Sequence, residues 1–320
     1  MSEPGAERGA FDTIVVGAGM AGLTSAAYLS RAGRSVLLVE MNKECGGLVN
    51  TFARDGFRFD GGVRALLDAG IVFPMLNELS IRLDVVDSPV SLGFGNEILH
   101  IDNVDSLNPY RDLLVRLFPG SEGEIDEVIR VIRKIMKDMD VLYGIENPLF
   151  KDLKHDPAFL FKRLLPWFPR FIRTVRKINR MRMPVERYLE AIVKNPSLRD
   201  MISQHFFKST PAFFALSYFS LYLDYVYPKG GMGKLADALR DKVREHGGEI
   251  RTETKIVDVE ADQRLVRDQN GAVCAYDNLI WAADLKTFYR LVTAEGLPAR
   301  VREAYETAKG RMLSRRGGDS

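Results

Sequence analysis

Gly17, Gly19 and Gly22, followed by Glu40, are the residues whose types and spacing point to a definite chemistry. A glycine at 17 allows a sharp turn. Glycine at 19 offers no side chain, so a pyrophosphate can approach the backbone closely. Glycine at 22 lets a helix pack against a sheet. Glu40 lies 18 residues beyond Gly22 and supplies a carboxylate able to accept hydrogen bonds from a ribose diol. Free N–H groups and the dipole at a helix start attract phosphate charge. Together these residues suit the binding of an adenine dinucleotide.

The elements that must position them are also legible. Thr13–Val16 is a short apolar run with the pattern of a buried parallel strand. Gly17-Ala18-Gly19-Met20-Ala21-Gly22 follows at once, and a helical pattern runs from about Met20 to Arg31, stopping at Gly33. A second apolar run, Ser35–Val39, ends in Glu40. Glycine clusters occur in ordinary loops, but here the cluster sits between a strand and a helix in a unit of about the ~30 residues expected of βαβ.

Cys45-Gly46-Gly47 and Thr51 complete an E-x5-GG-x3-T pattern from Glu40. This resembles the extended FAD signature of glutathione-reductase-like flavoproteins, in the branch that holds amine oxidases and phytoene desaturases. The stretch Phe52–Gly62, with Asp55-Gly56-Phe57 and Phe59-Asp60, is similar to the phytoene desaturase and carotenoid isomerase pattern. Tyr227-Pro228-Lys229-Gly230-Gly231-Met232-Gly233-Lys234-Leu235 also resembles that group, which includes retinol saturases. The likeness covers roughly residues 11–70 and 225–292, with a diverged middle.

The resemblance implies an α/β fold. It would have a Rossmann-like FAD-binding domain, made of a parallel sheet with βαβ units and a β-meander or hairpin, plus a largely helical substrate domain. It implies FAD as cofactor, held by Gly17, Ala18, Gly19, Met20, Ala21, Gly22, Glu40, Met41, Gly46, Gly47, Leu48, Gly62, Ile256 and Ala282. The paired glycines would lie against the pyrophosphate and ribityl region, and the backbone near Ile256 against the adenine. Plain sheet structure is the rival account of Ile256 and of Ala282-Ala283-Asp284. The implied activity is that of a desaturase, isomerase or saturase acting on a carotenoid-like or other isoprenoid lipid. No catalytic residue is identified. Arg64, beside Asp60-Gly61-Gly62, is a candidate for a place near substrate and equally a structural ion-pair partner.

The family's C-terminal segment, a Gly-Asp turn followed by small residues, has no counterpart after Asp284. Three readings stand: one half of a split enzyme completed by a second polypeptide, a truncated product, or a non-catalytic dinucleotide- or lipid-binding protein.

Composition excludes several other classes. The chain has 320 residues, 46% apolar and 28% charged, enough for a sizeable core in two lobes. A net charge of +2 gives no footprint for nucleic acid. The two cysteines, Cys45 and Cys274, make no disulfide framework and no CxxC, which fits reduced thiols and a cytoplasmic location. His100, His155, His205 and His246 show no metal-ligand spacing. There is no GxSxG elbow, and Leu235 stands where a Walker loop needs Ser or Thr. The absence of a second GxGxxG argues against a separate NADPH domain.

The expected organisation is a discontinuous FAD-binding domain at 10–85 and 229–290 and a substrate- or membrane-facing domain at 86–228. A C-terminal helix with a disordered basic tail, from about Lys309, would fill 291–320. Ile125, Val128, Ile129, Ile132, Ile135, Met136 and Met139 mark one face of a helix. Lys234–His246 reads as helix, and Ile250, Ile256–Val259, Arg264–Val266 and Leu279–Ala283 as strands, with Asn270-Gly271 as a hairpin turn.

Two further stretches bear on substrate. Residues 158–184 carry eight bases and no acid: Lys162, Arg163, Arg170, Arg173, Arg176, Lys177, Arg180 and Arg182. Phe159, Phe161, Leu164, Leu165, Trp167, Phe168, Phe171 and Ile172 are interleaved with them. That mixture suits peripheral contact with anionic lipid; nucleic acid is the rival reading of the same chemistry, with nothing else to support it, and a solvated basic helix is the plainer account. Pro166, Pro169 and Pro184 argue against a single long helix there. Ala212–Val226 is apolar and aromatic, too short for a span; its rings suit a core, or a tunnel for a long hydrocarbon.

Overall fold

The computed structural model describes residues 9–67, 70–151 and 153–314. It divides into two compact units. The first comprises residues 1–64, 79–84 and 228–320, and the second residues 65–78 and 85–227.

The first unit is built on a seven-stranded sheet. Its order is Glu249–Arg251, Val36–Val39 (β2), Gly9–Val16 (β1), Val273–Trp281, Leu265–Asp268, Ile256–Glu260 and Val292–Thr293. The first four strands are parallel, and the fourth continues with the next two as an antiparallel meander. Val292–Thr293 closes the far edge, parallel to Val259–Glu260. All four residues of β2 are buried, as are Thr13–Val16 of β1, which is why both read as unbroken apolar runs. Helix α1, Met20–Arg31, connects them in a βαβ unit. It ends where Gly33 takes φ +75°, with Gly33 N–H donating to Ser30 O (2.9 Å) and Arg34 N–H to Leu29 O (3.1 Å). That is a Schellman stop, which favours glycine because the left-handed conformation crowds a Cβ.

The Asn270-Gly271 turn closes the hairpin as expected, with Arg267 opposite Val273 and Gly271 at φ +82°. Two other tight hairpins were not anticipated. Asp55 (φ +51°) and Gly56 (φ +82°) join Thr51–Arg54 to Phe57–Asp60, and Gly95-Asn96 joins Val90–Phe94 to Glu97–Ile101. Asp-Gly and Gly-Asn are themselves hairpin signals, so both were available from the sequence.

The second unit is largely helical. Its core gathers Leu107, Tyr110, Ile132, Leu189, Leu198, Phe213, Tyr218 and Phe219 among others. The longest helix, Glu122–Tyr143, buries the seven apolar residues that its periodicity singled out. Ala212–Val226 contributes two short helices and the start of a strand. Phe213, Tyr218 and Phe219 there are fully buried in the core, Tyr222 packs against it, and Phe214 is exposed.

Several expectations are corrected. The division differs from a boundary near 85: Leu66 and Leu67 pair antiparallel with Val226 and Tyr225, which draws 65–78 into the second unit. Residues 291–314 belong to the first unit, because Val292–Thr293 joins its sheet. Lys309–Ser314 is not a disordered tail but the last turns of the helix Ala299–Ser314; Arg315–Ser320 lie outside the described residues. Leu279–Trp281 is not a separate strand but the end of the nine-residue strand Val273–Trp281, and it is only partly buried. Residues 157–180 are helical throughout despite their prolines. Pro166 is the second residue of Leu165–Arg180 and Pro169 lies inside it; a π turn at Leu160–Leu164 shifts the hydrogen bonding ahead of them, and the helix runs through both.

Candidate functional site

The glycine turn lies at the carboxyl ends of three adjacent parallel strands. Gly17 takes φ +99° and donates its N–H to Val39 O (2.8 Å), while Ala282 N–H donates to Val16 O (2.8 Å). In open α/β sheets this end of the strands is where ligands bind. A Cβ at Gly22 would stand 1.8 Å from Gly17 O, so the close approach of α1 to the turn requires glycine. Gly19 is different. Its backbone is extended (φ −70°, ψ −178°), and a Cβ built there meets nothing within 4 Å.

Gly19 is also the N-cap of α1, with no side-chain cap and no acid in the first turn. The helix's first internal bond runs from Leu23 N–H to Gly19 O (2.9 Å). The N–H groups of Met20, Ala21 and Gly22 therefore have no intrahelical acceptor. The result is an open, uncapped, acid-free helix start, which fits an anionic diphosphate.

Glu40 does reach this turn. Its carboxylate is buried; Oε2 accepts from Ala18 N–H (2.8 Å), and Oε1 accepts from Asn42 N–H (2.9 Å) and Asn42 Nδ2 (2.8 Å). A carboxylate has about four acceptor positions, so one remains, on Oε2. This arrangement leaves Glu40 room for one further donor rather than two, and the carboxylate fixes the shape of the turn. Met41 next to it is exposed.

The paired glycines pack directly on the fingerprint. Gly46 N–H donates to Ala18 O (2.7 Å), and Gly19 and Gly46 form a parallel bridge. Gly46 and Gly47 have φ +116° and +58°, and a Cβ at Gly47 would lie 3.3 Å from Gly19 Cα. Leu48 beyond them is 73% exposed. A Cβ at Gly62 would come within 2.9 Å of Leu48 O, and Val63 N–H donates to that same oxygen (3.0 Å).

A latch absent from the expected site joins two distant motifs. Thr51 Oγ1 donates to Asp60 Oδ1 (2.8 Å) and accepts from Gly233 N–H (2.9 Å), while Asp60 Oδ1 also accepts from Met232 N–H (2.9 Å). A Cβ at Gly231 would sit 2.4 Å from Thr51 Oγ1, so that glycine makes room for the threonine. The spacing of these residues carried no sign of contact across some 180 positions. Thr51→Val deletes the hydroxyl and leaves Gly233 N–H unpaired. We expect a loss of about 1–3 kcal/mol in denaturant unfolding, recovered by Thr51→Ser.

The remaining expected residues are spread along the same sheet. Glu40 N–H donates to Arg251 O (2.9 Å) and Thr254 N–H to Glu40 O (2.8 Å), which leads the chain past Glu40 into the strand that opens at Ile256. The Ile256 side chain itself is buried in the core with Ile14, Val39 and Val266. Arg64 is exposed at the end of its segment. Cys45 is buried beside the paired glycines, and burial pushes its thiol pKa up. That keeps it neutral rather than a ready nucleophile. A cavity of about 300 Å³ in this unit is lined by Cys45, Asn50, Thr51, Phe52, Arg58 and Lys234. The second unit holds a cavity of about 760 Å³, lined by Phe73, Tyr143, Glu146, Phe150, Lys151 and Arg163 among others.

Fold and site together define a Rossmann-like unit, with a glycine turn open to a diphosphate, and a largely helical companion unit. The chain belongs to the flavin containing amine oxidoreductase family, whose profile matches residues 20–311. It is 24% identical over 290 residues to the inactive all-trans-retinol 13,14-reductase of Danio rerio, covering 82% of this chain and 43% of that protein. It is 23% identical over 282 residues to the human all-trans-retinol 13,14-reductase, covering 82% of this chain and 43% of that protein. A 4,4'-diapophytoene desaturase of Staphylococcus haemolyticus is 24% identical over 286 residues, covering 84% of this chain and 54% of the desaturase. The chain thus spans about half the length of the curated relatives it matches. Among solved structures, a putrescine oxidase variant superposes with a TM-score of 0.59 at 17% identity, over 94% of this chain and 64% of that one. An oxidoreductase from Methanosarcina mazei gives 0.58 at 19% identity, over 93% and 64%.

Proposed function

We propose that this chain binds FAD and forms the cofactor- and substrate-facing part of an oxidoreductase acting on a carotenoid-like or other isoprenoid lipid. The observation that carries the reading is the paired-glycine loop bonded onto an open, uncapped glycine turn. Gly46 N–H is held by Ala18 O, next to a Gly19 with free space above it. Retinol reductases and a diapophytoene desaturase among the relatives support the lipid class. FAD, when bound, supplies the hydride acceptance or donation. The chain's own contribution is to seat the diphosphate at the start of α1, to hold the turn through Glu40, and to fix the paired glycines beside it. Desaturation, isomerisation and saturation all remain within this reading, as does a second polypeptide that completes the enzyme. The location that goes with this reading is cytoplasmic, with peripheral attachment to a membrane as its variant.

A second reading, a non-catalytic dinucleotide or lipid binder, draws on the relative that is described as inactive.

Gly19→Val tests the site. Its Cβ meets no protein atom, so the fold should lose only the N-cap preference for glycine, about 1 kcal/mol, while FAD affinity falls at least tenfold on titration. Wild-type protein that purifies colourless and takes up no flavin on mixing would overturn the reading. Flavin retention without turnover of any isoprenoid, with or without a completing polypeptide, would favour the second.

A further inference from the structure

We propose that the helical run Pro157–Arg180 of the second unit is a docking surface for an anionic phospholipid bilayer. The inference does not rest on flavin binding. It rests on how this run divides its residues around the helix. One side is pinned inward: Trp167 Nε1 donates to Val141 O (2.5 Å), Thr174 is buried, and Lys177 pairs with Asp138. The outward side carries Phe161, Leu165 and Phe168 at 64%, 51% and 51% exposure. Their spacing of four and three residues makes a single stripe. Flanking that stripe, Lys162, Arg170, Arg173, Arg176 and Arg180 are exposed, with Arg182 just beyond, and no acidic residue occurs between 158 and 184. Arg163 lies 3.7 Å from Glu146, which also pairs with Lys151, and this ties the neighbouring loop to the start of the run. That loop exposes Leu149 at 90%.

A stripe of large apolar side chains in water is unfavourable unless something apolar covers it, and a one-signed flank is unfavourable unless something anionic faces it. A bilayer of acidic lipids offers both at the required depths, acyl chains for the stripe and phosphates for the flank. A nucleic acid would answer the arginines, but it has no use for the aliphatic Leu165 and Leu149. Among the described residues no helix is long and apolar enough to cross a membrane, so contact would be along the surface.

The test is co-sedimentation of the full chain with phosphatidylcholine vesicles, with and without about one-third phosphatidylglycerol. Binding is expected only to the anionic vesicles, and it should weaken as salt rises. Replacing Arg170, Arg173 and Arg176 by Ser should weaken partitioning on the order of a hundredfold, from roughly fivefold per charge near an acidic surface. Phe161→Ser with Phe168→Ser should weaken it on the order of tenfold while leaving the salt dependence in place. Circular dichroism of each variant should match the wild type, since all these positions are exposed. Failure to sediment with anionic vesicles, or binding untouched by both sets of substitutions, would overturn the proposal. So would retention on RNA with no vesicle binding.

Discussion

Alanine at Gly22 should cost the first unit about 3 kcal/mol or more and abolish flavin uptake. The added methyl group would sit 1.8 Å from Gly17 O, a backbone atom with no rotamer to escape into. Relief requires α1 to move away from the turn. The turn itself cannot give way, because β1 is hydrogen-bonded to β2 and to Val273–Trp281, and Gly17 N–H is held by Val39 O. Moving the helix start also displaces the N–H groups of Met20 and Ala21, on which a diphosphate would depend. The measurement is a pair of denaturant curves with parallel FAD titrations. The comparison with Gly19→Val is decisive, because the two glycines are three residues apart and fail for opposite reasons. Gly22 is needed by the packing of the fold, whereas a Cβ at Gly19 meets no protein atom and falls in the space assigned above to the diphosphate. If Gly22→Ala unfolds at the wild-type denaturant concentration, the packing argument is wrong.

Acidification should destabilise the second unit between about pH 6.5 and pH 4, with His205 as the responsible group. Its imidazole stacks on Tyr218 with ring centroids 4.2 Å apart and an interplanar angle of 9°. Nδ1 lies 3.1 Å from Tyr222 Oη and Nε2 3.4 Å from Tyr110 Oη, and Tyr218 Oη donates to Tyr110 Oη (3.3 Å). Burial among these rings lowers the His205 pKa to about 4. The same burial holds the Tyr222 phenol up at about 12, so it stays neutral throughout. The sign follows from linkage. Below the ordinary histidine pKa the unfolded chain takes up a proton that the folded chain refuses, so unfolding gains on folding as pH falls. The stability is complete above about 6.5, is lost progressively toward 4, and levels off below that. The loss is on the order of 2–3 kcal/mol. Urea unfolding at stepped pH, followed by tyrosine absorbance, should show that slope, and His205→Phe should flatten it. An unchanged slope in His205→Phe would assign the acid sensitivity elsewhere.

The site divides cleanly by how far its information travels along the chain. Gly17, Gly19, Gly22, Glu40, Gly46 and Gly47 fall within one stretch of sequence, so their order alone announced the turn, the helix and the acid. Helix ends were equally plain where periodicity met a stop, as at Arg31 before Gly33. Proline signals misled. Those at 166 and 169 marked a break in 157–180, but the first falls in a helix's opening turn and a π turn precedes both. The latch of Thr51, Asp60, Met232 and Gly233 was invisible, because hydrogen bonds between distant residues leave no local pattern.

Glu40 shows the same limit from the other side. Its position marked it as a sugar ligand, yet most of its acceptor capacity is taken up by Ala18 and Asn42. What the sequence by itself determined is the βαβ unit, the glycine turn and the buried face of Glu122–Tyr143. In each case the physical cause, a left-handed backbone, a close contact or a helical period, acts within a few residues. Only the tertiary structure decided that Ala65–Glu78 leaves the first unit, that Val292–Thr293 joins its sheet, and that Gly231 makes room for Thr51. Those outcomes depend on which surfaces meet, and the free energy that selects them is shared among residues far apart in the chain.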